Sequence, residues 1–254
     1  MKGGQPMKIL RINMGEKGGP KISEEPMGAY EGLGGRALTS ALVAKEVPPL
    51  CHPLGEDNKL VIAPGLLSGS NAAMSGRISV GCKSPLTGGI KEANSGGQPS
   101  QVLARLGYAA IVLEGKPEGD HLYKVFINKE GVKITPDNSL KMLGNYDLVE
   151  KMKMEYGDKI SCISIGSAGE RKMSAASVAF TDMELRPTRH AGRGGVGAVM
   201  GAKASRSSSL MTREQMRGSR KIPKNLAMPT KRSLPASANI RSRGKDFPLT
   251  GRMF

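Results

Sequence analysis

Alternating apolar and polar residues near the start of the chain predict a first β-strand. In KILRINM, residues 8–14, apolar side chains recur at the two-residue period of a half-buried strand. Short apolar runs bounded by glycine, proline or polar residues predict further strands. These runs are NKLVIAP, GRISVGC, AAIVLEGK, KISCISI and the pair HLYKVFIN and GVKITPD, which reads as a hairpin turning at Lys129 to Gly131.

Two segments have the period of amphipathic helices instead. In EGLGGRALTSALVAKEVPP, Leu38, Leu42 and Val43 fall on one face, and Pro48 with Pro49 ends the helix. The second helix is predicted in YDLVEKMKMEYG. Many strands with few helices predict a mixed α+β fold for this chain of 254 residues, which is long enough for one large domain or two small ones.

The net charge of +16 is unevenly distributed along the chain. Residues 1–203 hold 26 Lys/Arg and 20 Asp/Glu, whereas residues 204–254 hold 12 Lys/Arg and only 2 Asp/Glu. The glycines follow the opposite trend, since 31 of 34 precede residue 204. The chain therefore changes character near Lys203.

Cysteine usage and the N-terminus predict a cytoplasmic protein that is not membrane-bound. Cys51, Cys82 and Cys162 lie far apart, without metal-ligand spacing, so each is interpreted as a small apolar residue of the core. The N-terminus lacks the apolar run of a signal peptide. The longest apolar stretches also fall well short of the roughly 18–20 residues that a membrane-spanning helix requires.

Three glycine-rich segments are candidate ligand-binding loops: residues 81–100, 165–171 and 189–201. Glycine lets backbone groups approach a ligand because no side chain intervenes. Three such loops together predict a large, flat or polyanionic ligand that is held by main-chain groups, although each alone could be an ordinary tight turn.

The third segment contains GRGGVG, residues 192–197, which matches a dinucleotide-binding pattern. That motif should follow a buried strand, but the polar, proline-broken TDMELRPTRHA precedes it here, so we reject nicotinamide binding. Arg189 and Arg193 beside a glycine-rich helix start favour a phosphate instead. Arg77 and Asn94 are candidates to complete such a site, the alternatives being a surface ion pair and a turn residue.

The motifs SGRISVGCKSPLTGGIKEANSGG, LGYAAIVLEGK, IGSAGE and RHAGRGGVGAVMGAK occur in this order along the chain. Together they resemble the N-terminal domain of the tungsten-containing aldehyde:ferredoxin oxidoreductases, from about Lys8 to Lys203. The resemblance implies a domain of two β-sheets, assigned to residues 1–203, that cradles two molybdopterin-type cofactors. These chelate one tungsten (or molybdenum) through dithiolenes, and a magnesium ion bridges their phosphates.

By the same resemblance, two groups of residues would contact the cofactor. Arg77, Asn94, Ser95 and Gly96 form the first group, and Arg189, His190, Ala191, Gly192, Arg193 and Gly194 form the second. Backbone carbonyls of Asn94 and His190 would help to hold the magnesium. His190 is itself a departure, because small residues are usual at this position of the family.

The family's reaction oxidises an aldehyde to a carboxylic acid and passes electrons through a [4Fe-4S] cluster to ferredoxin. The cluster ligands, a Cys-x-x-Cys-x-x-x-Cys motif and one distant cysteine, belong to later domains, as do the proposed acid/base residues. The three cysteines of this chain do not have that spacing. The resemblance therefore implies a fragment that is inactive alone, with no catalytic residue and no iron–sulfur ligand of its own.

The change after Lys203 is predicted to be a one-base frameshift. Deleting one G from AAG GGC CTC AAG GTC GTC GTC GTT GAT GAC, which encodes KGLKVVVVDD, produces KASRSSSLM as in this chain. The T and C of each TCN serine codon are the last two bases of an NTC codon in the original frame. Every NTC codon encodes Phe, Leu, Ile or Val. The serine run Ser207 to Ser209 would then conceal an apolar strand, and residues 204–254 would be a disordered, out-of-frame tail.

Two other functions remain as alternatives. The first is a stand-alone small protein that binds a pterin-like phosphorylated ligand without redox activity. The second is an anionic-polymer binder acting through the basic tail, with phosphate contacts from Arg206, Arg213 and neighbouring cations. Phe247 and Phe254 are the only aromatic residues of the tail, which argues against nucleic acid because stacking platforms are missing.

Overall fold

A computed structural model describes residues 6–119 and 121–203, and the backbone of residues 205–212. Its first half contains β1 (Lys8–Asn13), β2 (Lys21–Pro26), α1 (Gly35–Glu46), β3 (Leu60–Pro64), β4 (Ile78–Lys83), β5 (Ile90–Ser95), α2 (Pro99–Arg105) and β6 (Tyr108–Glu114). Its second half contains β7 (Tyr123–Asn128), β8 (Gly131–Pro136), α3 (Asn145–Tyr156), β9 (Ile160–Ser164), α4 (Ser167–Glu170), β10 (Val178–Phe180), β11 (Arg189–Ala191), α5 (Val196–Ala202) and β12 (Ser205–Thr212). None of the helices in these ranges has the length and apolar character needed to cross a bilayer.

The two halves repeat one topology. The first sheet has the order β2-β1-β6-β3-β4-β5 and the second the order β8-β7-β12-β9-β10-β11. In both sheets the first strand of the half pairs antiparallel with the second and parallel with the sixth. In both, the third strand lies antiparallel between the fourth and the sixth. Since α1 matches α3 and α2 matches α5 in chain position, the domain is an internal structural duplication.

The core lies between the two sheets and on the outer face of each. One buried cluster combines side chains of both sheets, including Ile62 and Ile111 from the first and Ile127 and Phe180 from the second. A second cluster packs α1 against the first sheet, and a third packs α3 against the second sheet. The predicted α+β fold of two sheets is confirmed, and burial of both sheet faces explains why β3 and β6 are almost continuously apolar.

The sequence predictions for β1, β3, β4, β6, β9, the β7–β8 hairpin and the helices α1 and α3 are confirmed. The prediction that residues 81–100 form one loop is wrong, because β5 and the start of α2 lie within it. The strand β2 was missed because KISEEP lies at a sheet edge and is mostly exposed, so it lacks an apolar pattern. The strands β10 and β11 have only three residues each, too few to show a period.

The second sheet continues past Lys203, where the sequence places the domain boundary. The strand β12 (Ser205–Thr212) lies between β7 and β9 in the middle of that sheet. The duplication accounts for this, because β6 occupies the same central place in the first sheet. Residues 213–254 lie outside the described residues, and a disordered tail there stays a prediction.

A network of ion pairs joins α1 to β1, to β6 and to Lys59 just before β3. Arg11 donates to both carboxylate oxygens of Glu46, at 2.8 and 2.9 Å. Lys59 Nζ lies 2.8 Å from Glu46 and 2.7 Å from Glu114. Partial burial by itself would raise the pKa of Glu46, but the hydrogen bonds from Arg11 and Lys59 outweigh it and lower the pKa to about 2.

We expect Glu46→Gln to reduce the free energy of unfolding by about 2 kcal/mol at pH 7, after allowing for partial solvent screening. Because the folded-state pKa is lowered, this contribution is complete above the ordinary pKa of 4.5 and disappears as pH falls towards 2. Urea unfolding of both proteins from pH 7 to pH 2 measures it. A difference that stays constant over this range would contradict the prediction, and Glu31→Gln, at an exposed position, is the control.

Candidate functional site

Two glycine-rich loops occupy equivalent places in the two repeats. Residues 94–97 end β5 and lead towards α2, and residues 192–195 join β11 to α5. Each loop is tied to the opposite sheet, since Gln98 N donates to Thr181 O at 2.9 Å and Ser84 Oγ donates to Gly194 O at 2.7 Å. Ser84 follows β4 and Thr181 follows β10, the fourth strand of each repeat. Both loops therefore lie at the seam between the sheets.

The first loop brings three predicted site residues together. Arg77 Nε donates to Asn94 Oδ1 at 2.6 Å. A Cβ atom placed on Gly96 would lie 3.5 Å from Arg77 Nη1, so the guanidinium lies beside the bare backbone of this glycine. Arg77 is exposed, whereas Ser95 is only 3 % exposed. Arg77, Asn94 and Gly96 can thus contact a ligand directly, whereas the side chain of Ser95 belongs to the interior.

The second loop carries two exposed cations around open backbone. Arg189, Arg193 and Gly192 are exposed, and a Cβ atom on Gly192 would meet nothing within 4 Å. His190 is exposed as well, with Nδ1 3.0 Å from Ser177 Oγ. In contrast, the Ala191 side chain is fully buried in the core cluster. This surface combines positive charge with accessible main chain, as expected of a phosphate-binding loop.

The glycines that follow have a packing role. Gly194 and Gly195 are buried with φ of 69° and 68°, in the left-handed region that favours glycine. A Cβ atom on Gly194 would overlap the Lys91 side chain, and one on Gly195 would overlap the Ser174 carbonyl oxygen. The helix α5 has only seven residues and a buried start. The start of α5 is therefore not open to a ligand, and the exposed part of this loop is the arginines and backbone before it.

The third glycine-rich segment, residues 165–171, packs against α5. Gly169 is buried, and a Cβ atom there would lie 3.1 Å from Gly197 O. A Cβ atom on Gly201 would in turn overlap the Gly169 carbonyl oxygen. These glycines allow α4 and α5 to pack closely. The structure thus brings two of the three predicted loops to one seam and uses the third as a support for α5.

Sequence reasoning missed a polar network behind Asn94. Asn94 Nδ2 donates to Ser79 Oγ at 3.1 Å, and Ser79 Oγ donates to Glu92 Oε1 at 2.6 Å. Arg36 Nε, at the start of α1, donates to Glu92 Oε2 at 3.1 Å. Ser79 and Asn94 are direct partners across β4 and β5. The alternation of IKEAN was the available signal, because it places Glu92 and Asn94 on one face of a strand.

The cysteines have no part in this site. Cys82 and Cys162 are buried in β4 and β9, and burial raises the pKa of each thiol to about 12. Their predicted role as small core residues is confirmed. Cys51 is only partly buried and packs against the cluster beneath α1.

Comparison with known proteins identifies the domain. A family profile described as "Aldehyde ferredoxin oxidoreductase, N-terminal domain" matches residues 9–205. The chain belongs to the aldehyde ferredoxin oxidoreductase family. The matched range covers both glycine loops and extends through both repeats up to the start of β12.

The similar sequences include several tungsten-containing aldehyde ferredoxin oxidoreductases. The protein from Pyrococcus horikoshii is 41 % identical over 202 residues, which cover 77 % of this chain and 31 % of that protein. The protein from Thermococcus kodakarensis is 37 % identical over 219 residues, which cover 85 % of this chain and 34 % of that protein. An "Aliphatic sulfonate oxidoreductase, WOR-like subunit" from Pyrococcus furiosus is 30 % identical over 199 residues, which cover 72 % of this chain and 30 % of that protein.

A solved structure has the same fold. The active-site complex BamBC of benzoyl coenzyme A reductase, determined with 1,5-dienoyl-CoA, superposes with a TM-score of 0.73 at 28 % identity. The match covers 81 % of this chain and 30 % of that chain. The chain spans about a third of the length of the curated relatives it matches.

Proposed function

We propose that this chain is the cofactor-cradling domain of a tungsten-dependent aldehyde oxidoreductase. Its two seam loops would hold the phosphates of two pterin molecules, one for each repeat. The observation that carries this proposal is the duplication, which sets two glycine-rich loops with nearby arginines at equivalent places on one seam. A ligand built of two like, phosphate-bearing halves suits such a site, and the tungsten enzymes among the relatives support this choice.

The residues of the seam fit the proposed group. Gly192 presents open backbone between exposed Arg189 and Arg193, and Gly96 presents backbone beside Arg77. Guanidinium groups bind phosphate with two parallel hydrogen bonds, which fixes the orientation of the ligand as well as its affinity. Backbone carbonyls of Asn94 and His190 are our candidates for holding a magnesium ion between the two phosphates.

When bound, the tungsten–pterin group would supply the redox chemistry that oxidises an aldehyde to a carboxylic acid. Residues of this domain would bind and orient the group from one side. The aldehyde pocket, a [4Fe-4S] cluster and the ferredoxin contact are proposed for the remaining length of a full relative. We therefore expect the 254-residue chain by itself to have no aldehyde-oxidising activity.

We also propose that residues after Lys203 are read out of frame. The position of β12 supports this, because its equivalent in the first repeat, β6, has the apolar sequence YAAIVLE and is almost completely buried. The central strand of the second sheet has instead the sequence SRSSSLMT. The family profile also stops matching at residue 205, two residues after the predicted break.

Cofactor content tests the proposal directly. The 254-residue chain and a version with one G restored after codon 203, together with its downstream frame, are to be purified from cells supplied with tungstate. We expect tungsten, two pterins and aldehyde-dependent dye reduction only in the restored protein. Two pterins or dye reduction in the 254-residue chain would overturn its inactivity. A restored frame without tungsten would overturn the cofactor assignment.

A second candidate is a stand-alone protein that binds a pterin-like phosphorylated ligand without redox activity. Both loops are complete within the described residues, which favours it. Tight binding of phosphorylated pterin by the 254-residue chain, with no downstream frame in the gene, would select this function instead.

A further inference from the structure

Arg77 is connected to α1 through four hydrogen bonds in series. Arg77 Nε donates to Asn94 Oδ1, and Asn94 Nδ2 donates to Ser79 Oγ, at 2.6 and 3.1 Å. The series continues from Ser79 Oγ to Glu92 Oε1 at 2.6 Å, and Arg36 Nε reaches Glu92 Oε2 at 3.1 Å. The series thus begins at the proposed ligand site and ends at a carboxylate that is flanked by an exposed arginine.

The carboxylate sets the direction of every bond in this series. An ionised carboxylate only accepts hydrogen bonds, so Ser79 must use its single proton on Glu92. Ser79 Oγ is then an acceptor towards Asn94, which turns Nδ2 to the serine and Oδ1 to Arg77. Since Arg77 has only donors, this is the one amide orientation of Asn94 that attracts the guanidinium.

We propose that Glu92 is a positioning residue, which fixes the amide of Asn94 through Ser79 and so holds the Arg77 guanidinium beside Gly96. The inference rests on the proposed function, because it assigns Arg77 to the anion site. Glu92 itself contacts no ligand. Its negative charge is offset by Arg36, so it orients the arginine of the site without opposing the bound phosphate.

The isosteric change Glu92→Gln is expected to exchange donor and acceptor in the hydrogen bonds between residue 92, Ser79 and Asn94. Arg36 attracts the amide oxygen of the introduced glutamine, which turns its NH₂ group towards Ser79. Ser79 then donates to Asn94 Oδ1, and Asn94 presents its NH₂ group to Arg77 Nε, where two donors repel. The fold itself should tolerate the change, because α1 is held by buried Leu38, Leu42 and Val43.

Inorganic pyrophosphate is the probe, titrated calorimetrically into the full chain and four variants. We expect Glu92→Gln to weaken binding about tenfold, close to the loss in Arg77→Met. Arg36→Met should retain affinity within about twofold, because Glu92 remains an acceptor. The double variant Arg36→Met/Glu92→Gln should regain most of the affinity, since the introduced amide can then turn its oxygen to Ser79. Such a rescue is not expected of a residue that only supports the fold.

The experiment distinguishes failure of the positioning role from failure of the proposed anion site. If Arg77→Met weakens binding and Glu92→Gln does not, or if the double variant shows no rescue, the positioning role is overturned. If the parent chain does not bind pyrophosphate, the anion site of the proposed function fails. NMR then decides the positioning role separately, because the Asn94 side-chain amide and Arg77 Hε signals should shift in Glu92→Gln and return in the double variant. Unchanged signals would overturn it.

Discussion

Replacing Gly195 with alanine is expected to destabilise the domain by about 3 kcal/mol, a large part of the stability of a typical domain. The backbone at Gly195 has φ of 68°, which costs a residue with a side chain about 1 kcal/mol. The added methyl group would also overlap the Ser174 carbonyl oxygen and lie 2.9 Å from Pro85 Cγ. The Ser174 oxygen is a backbone atom and cannot rotate away, so the loop itself must shift. This shift adds overpacking strain of about 1–3 kcal/mol.

Gly192→Ala is the matched control in the same loop. A Cβ atom there meets nothing within 4 Å, so we expect stability to change by less than about 0.5 kcal/mol. Urea unfolding followed by circular dichroism compares the two variants with the parent chain. Equal stability of Gly195→Ala and Gly192→Ala would contradict the packing described for the start of α5.

Changing Ser207, Ser208 and Ser209 together to valine is expected to stabilise the chain by about 4 kcal/mol. These residues lie in β12, between β7 and β9. The corresponding part of β6 is buried on both faces, so this backbone position favours apolar, β-branched side chains. The free energy of unfolding and the thermal midpoint both measure the gain.

Ser23→Val, on the exposed edge strand β2, is the control for a general effect of added valine. It should change stability by less than about 0.5 kcal/mol. A triple variant that is no more stable than the parent would count against the central place of β12. It would also remove the structural support for an apolar strand concealed by a shifted frame.

Much of the fold was predictable because the buried elements have simple periods. The strands β3 and β6 are nearly continuous apolar runs, and α1 has one apolar face. The duplication was not predictable in this way. Its matching elements share place and direction but little sequence, and the second copy of the central strand contains a run of serines.

The candidate site was predictable where glycine and arginine occur together. The structure places Arg77 against Asn94 and Gly96 and exposes Arg189 and Arg193 around Gly192. The burial of Ser95 and Ala191 was not foreseen, since it depends on which face of β5 and β11 meets the core. The Glu92 network was missed because its partner Arg36 is 56 residues away on α1 and Ser79 reaches it only through the register of β4 and β5.

The hydrogen bonds that tie each loop region to the opposite sheet have a consequence for the organisation of the domain. Two identical subunits related by a two-fold axis make the same reciprocal exchange, in which each supplies a loop to its neighbour. Here the neighbour is the other half of one polypeptide, reached through the short segment between β6 and β7. The domain is thus organised as a fused homodimer. If the chain is cleaved in that segment, the two fragments should form the seam only when they associate with each other.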